Sequence, residues 1–79
     1  MPYIKQEDRA RLLTEIPETP GELNYIITKL LLRYITVKGI NYQTINDIVG
    51  ALECCKSEFY RRVVAEYENK KAKENGDVY

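Results

Sequence analysis

Histidine and tryptophan are absent from this chain of 79 residues, phenylalanine and methionine occur once each, and the only cysteines, Cys54 and Cys55, are neighbours. Without histidine there is no imidazole base for a serine or cysteine nucleophile and no imidazole ligand for zinc. There is no glycine-rich phosphate loop and no pair of spaced cysteines. Adjacent thiols cannot close a useful loop, so a disulfide does not staple the fold. Charge of one sign is missing too: twelve acidic and twelve basic side chains cancel, which argues against a dedicated nucleic-acid binder. Apolar runs such as Leu30 to Leu32 are far short of the ~20 residues that span a bilayer, and the first residues carry no signal-peptide core. A soluble, cytoplasmic protein with unpaired thiols is expected.

What remains is a chain of one small domain, 1–79, with strong helical punctuation. Lys5 to about Ile16 reads as a first helix. Glu7 and Asp8 sit in its first turn, Leu12, Leu13 and Ile16 mark an apolar side, and Pro17 stops it. Thr19-Pro20-Gly21-Glu22 is a capping box with a first-turn proline, and Gly39 is the matching stop, so a second helix covers about 20–38. Leu23, Ile26, Ile27, Leu30, Tyr34 and Val37 give it one apolar stripe, while Tyr25 and Leu32 lie on the opposite face and are candidates for an oligomer interface. Asn41 caps a third helix of about 42–73, with Ile45 placed to clamp back onto Ile40. At 3.6 residues per turn Ile45, Ile48, Val49, Leu52, Phe59, Val63 and Tyr67 share one stripe. Such a helix is roughly 45 Å long, more than the two shorter helices cover in one compact monomer. The tail, 74–79, ends with two strand-favouring residues and has Pro2-Tyr3-Ile4 as a possible neighbour. The fold class expected is all-α: a hairpin of two long helices plus a short N-terminal helix, assembled as a homo-oligomeric bundle.

Candidate binding residues cluster in the third helix. Lys56 projects near the centre of the stripe, either lying along it with its ammonium on Glu53 one turn earlier or reserved for a partner carboxylate or a small anion. Tyr60, Arg61 and Arg62 are the aromatic and basic neighbours that would complete an anion site. Cys55 falls at the stripe's margin as a small filler, and Cys54 points away. No metal or catalytic residues are assigned, because Glu53 and Glu58 are five apart and do not share a helical face.

The stretches "MPYIKQEDR", "TPGELNYIITKL", "NYQTINDIVGALECCKSEFYRRVV" and "YENKKAKENGDVY" resemble an uncharacterised family of short bacterial and bacteriophage proteins of unknown function. The likeness covers nearly the whole chain and implies no activity, cofactor or site residue; a phage setting implies an accessory protein that works by binding. The function expected is therefore that of a non-enzymatic helical binding protein, acting on a protein or a small anionic ligand. An alternative is a helix-turn-helix DNA reader over residues 45–64, which requires a break near Glu53 to Cys55. A remote one is a metal-dependent nucleotide hydrolase.

Overall fold

A computed structural model describes residues 3–79. Every regular element among them is helical: α1 (Gln6–Arg11), α2 (Pro20–Lys38), α3 (Tyr42–Phe59), a π-helical turn (Tyr60–Val64) and α4 (Ala65–Asn75). The chain divides into two compact units, one ending at Thr44 and the other spanning Ile45–Tyr79.

In the first unit α1 is only six residues long, shorter than the 5–16 expected. Past Arg11 the ladder tightens into i→i+3 bonds, Leu13 N–H to Ala10 C=O (3.3 Å) and Thr14 N–H to Arg11 C=O (3.2 Å). Pro17 offers no N–H to carry a helix onward and disfavours helical backbone at Ile16. The change of pitch splits the apolar side expected of this helix. Leu12 is buried at 7% exposure, whereas Leu13 and Ile16 face solvent.

Helix α2 starts where the local chemistry dictates. Thr19 is extended, and its Oγ1 accepts the Glu22 N–H at 3.1 Å, with Pro20 in the first turn. In the usual capping box the glutamate returns to the capping residue's own N–H. Here Glu22 Oε1 instead accepts the N–H of Glu18, one residue further out, at 2.9 Å. The helix ends at Gly39, whose φ of 82° an L side chain rarely adopts, and its N–H closes on Ile35 C=O at 2.7 Å. Asn41 Oδ1 then accepts the Thr44 N–H at 2.8 Å, capping α3.

The second unit is a single helical rod. Backbone angles stay helical at Phe59, Val64 and Ala65, so the chain runs without a break through the π turn into α4, about 45 Å from Ile45 to Asn75. The π turn is marked by the Ala65 N–H, which reaches back five residues to Tyr60 C=O. One residue is in effect inserted there, and every side chain beyond it is turned by about 100° from its place on an uninterrupted α-helix. Side chains past the turn, Tyr67 among them, therefore do not stand where uninterrupted 3.6-residue spacing places them. Gly76, at φ 90°, ends the rod. In the tail the Tyr79 N–H bonds Asp77 Oδ1 at 2.9 Å, and Val78 and Tyr79 are exposed. The proposed neighbour Pro2 lies outside the described residues.

Thr19→Ala removes the cap hydrogen bond and should destabilise the first unit by about 1 kcal/mol, read as a lower urea midpoint with an unchanged slope.

Candidate functional site

The stretch from Glu53 to Arg62 lies wholly on the rod. Lys56 Nζ stands 3.6 Å from Glu53 Oε1, one turn earlier on the same helix, and both side chains are mostly exposed. Exposed pairs of this kind contribute about 0–1 kcal/mol. The geometry is that of a lysine whose stem lies along the helix while its ammonium meets a neighbouring acid in water.

The two arginines are engaged within their own helix. Arg61 Nη2 donates to Glu58 Oε2 and Arg62 Nε donates to Glu58 Oε1, so both carboxylate oxygens are taken. Glu58 stands at i−3 from Arg61 and i−4 from Arg62, the spacing at which side chains on one helix meet. This clamp offsets part of the basic charge expected to attract an anion beside Tyr60. Tyr60 itself is half-exposed, and beyond the π turn Lys71 Nζ sits 5.6 Å from the centroid of the Tyr67 ring.

Both thiols are free and exposed. Cys55 is thus not the buried or half-buried filler expected, because the rod's own unit supplies no second element against which it could pack.

A different cluster, in the first unit, carries the perturbed electrostatics. Arg11 reaches from α1 to the Glu22 carboxylate of α2, with its Nη2 on Glu22 Oε2, and it also lies 3.3 Å from Glu15 Oε2 and 3.7 Å from Asp8 Oδ1. Glu22 is buried yet fully hydrogen-bonded. The Glu18 N–H, then the Arg11 guanidinium, hold its carboxyl below the usual glutamate value against the opposing effect of desolvation. The Glu22 carboxylate in turn raises Arg11 above its already high value. Nearby, Arg9 Nε donates to Ile4 C=O at 2.9 Å while its guanidinium carbon lies 5.7 Å from the centroid of the Tyr25 ring. Tyr25 is thereby committed inside its own unit. Leu32, grouped with it as an interface candidate, is half-exposed.

The sequence assigned Glu22 a capping role and missed its ion pair with Arg11. The available signal was a basic pair, Arg9 and Arg11, on the short helix preceding an acidic first turn.

A family model described as "Domain of unknown function (DUF6899)" matches residues 1–78. The chain belongs to the DUF6899 family. No curated protein and no solved structure matches it. For this DUF6899 chain, Glu53 to Cys55 lie in the middle of α3, so the break that a helix-turn-helix over 45–64 requires is not formed. Among the described residues no group of three or more Cys, Asp or Glu side chains comes together to hold a metal ion, and no helix is long and apolar enough to cross a membrane.

Two outcomes check this geometry. Glu22, with its folded value depressed, should contribute its full stabilisation above the unfolded glutamate range, about 4.3, and lose it as pH falls through the lower folded value. Amide exchange in α1 should accelerate over that acid window in the native chain, and Glu22→Gln should abolish the pH dependence. Lys56→Met should leave helicity and monomer stability within about 0.5 kcal/mol, measured by circular dichroism during denaturation.

Proposed function

We propose that this chain is a non-enzymatic helical binding protein that works through the apolar face of its rod and self-associates by it. One observation carries the reading. Within its unit the rod has no second element, and Ile45, Val49, Leu52, Phe59, Tyr60 and Val63 remain 39–61% exposed along one side. A row of large half-exposed apolar side chains in one stripe marks an interaction surface rather than scattered surface residues. With roughly 100 Å² left open on each of these six side chains, the face offers about 600 Å² per copy, at the lower end of the range for specific protein interfaces.

The clamp on Glu58 weakens the companion idea of a small anionic ligand at Lys56, Tyr60, Arg61 and Arg62, since a ligand would have to displace a carboxylate already seated on both arginines. The resemblance to bacterial and phage proteins fits an accessory role performed by binding, and the free thiols suit a reducing, cytoplasmic setting.

Sedimentation at about 10–50 μM, above the micromolar end of the range over which protein interfaces associate, should give a dimer or larger species. Phe59→Asp should convert it to monomer with helicity retained. A wild-type monomer across that range would remove the reading.

A further inference from the structure

We propose that Asn75, with Gly76 after it, is a self-modification site: the asparagine side chain cyclises onto the glycine backbone nitrogen, and the last hydrogen bond of α4 gates the reaction. The proposal does not depend on the binding role above. Asparagine stands at five places, 24, 41, 46, 69 and 75, and at four of them a tyrosine, an aspartate or a lysine follows. At Asn75 the next residue is glycine, which has no side chain to hinder attack by its own nitrogen. Both residues are exposed, and a methyl group at Gly76 would meet nothing within 4 Å, so no neighbour obstructs ring closure.

The glycine that ends the rod is the one that makes the asparagine reactive. Its φ of 90° favours glycine at this stop. In the folded chain the Gly76 N–H donates to Ala72 C=O at 2.8 Å, and Asn75 is the last residue of α4. Two restraints follow. A nitrogen engaged as a donor keeps its proton, and helical backbone at Asn75 holds that nitrogen away from the side-chain carbonyl carbon. Both are lifted together when the final turn frays, and helix ends open at low cost. The Gly76 nitrogen, its proton lost to solvent, then attacks Cγ of Asn75. A C–N bond forms, the Cγ–Nδ2 bond breaks, and the amide nitrogen takes a proton from solvent to leave as ammonia. Water adds to either carbonyl of the cyclic imide and leaves aspartate or isoaspartate at position 75, with no change of oxidation state. The new carboxylate lies at a helix C-terminus, where the dipole disfavours negative charge, between Glu74 and Asp77. In the isoaspartate form the main chain runs through the former side chain, one methylene longer, and the Gly76 N–H loses its register with Ala72 C=O. The cap then does not re-form.

The test follows the full chain through prolonged incubation in warm, mildly alkaline buffer, both folded and unfolded in urea. Peptide mapping by mass spectrometry locates the change from amide to acid, and enzymatic methylation measures isoaspartate. The expected result is a mass increase confined to the peptide holding Asn75, with isoaspartate in it, and a measurable folded rate slower than the unfolded one by about tenfold, the order set by one hydrogen bond at a helix end. Converted protein should focus as a species with one added negative charge. Asn75→Gln, which would have to close a larger ring, should lose the product with helicity retained. No increase at Asn75 in the unfolded chain, or equal conversion at Asn24, Asn41, Asn46 or Asn69, overturns the site. A folded chain that stays unconverted while the unfolded chain converts fully overturns it as a property of the native protein. Equal rates in the two states overturn the gate, and conversion without isoaspartate overturns the cyclic-imide route.

Discussion

A single helix cannot bury its own apolar side. The stripe from Ile45 to Val63 stands on a rod that is the sole element of its unit, and the hydrophobic effect acts on it only when something else arrives. The contrast with the first unit is one of means. There a six-residue helix is held to α2 by the Arg11 bridge to Glu22 and by Arg9 over Tyr25, with Leu12 buried just past its end. That unit uses an ion pair with a buried carboxylate and a partly exposed arginine where a larger protein would use a core, and such a pair fixes geometry more than it adds stability.

The two arginine arrangements illustrate how position decides what the same side chain does. Arg11 spans two elements and depends on a carboxylate withdrawn from water, so its partner's protonation matters to the fold. Arg61 and Arg62 share a carboxylate on their own helix, in the open. Their attraction to Glu58 is screened by solvent and salt, and its main effect is to keep two positive charges beside the apolar face from presenting themselves unpaired.

Features decided within four or five residues were legible in the sequence. The Thr19 hydroxyl, the Pro20 ring, the Gly39 stop and the Asn41 cap each follow from a neighbour's backbone chemistry, and the all-helical character follows from the spacing between them. The Lys56 pair with Glu53 was legible for the same reason, being a single turn long. What was not legible depended on geometry that a count cannot carry. The Arg11 bridge joins residues eleven apart across a turn whose path was unknown. The shortening of α1 depended on where the ladder tightens ahead of Pro17. Cys55 was placed against a core by its phase alone, and phase says which side a residue occupies without saying whether anything stands on that side. The π turn was invisible because a 3.6-residue count assumes that no residue is ever added.

That added residue makes the Tyr60–Val64 turn a tolerance point for chain length. Removing one amino acid from the middle of α3 would spin the two halves of the face out of line with one another. Removing one from this turn would restore ordinary α-helical bonding and swing α4 as a whole about its own axis, leaving the face from Ile45 to Phe59 untouched. The rod is thus divided into a segment whose angular setting is fixed by what it must match and one whose setting is adjustable by a single codon.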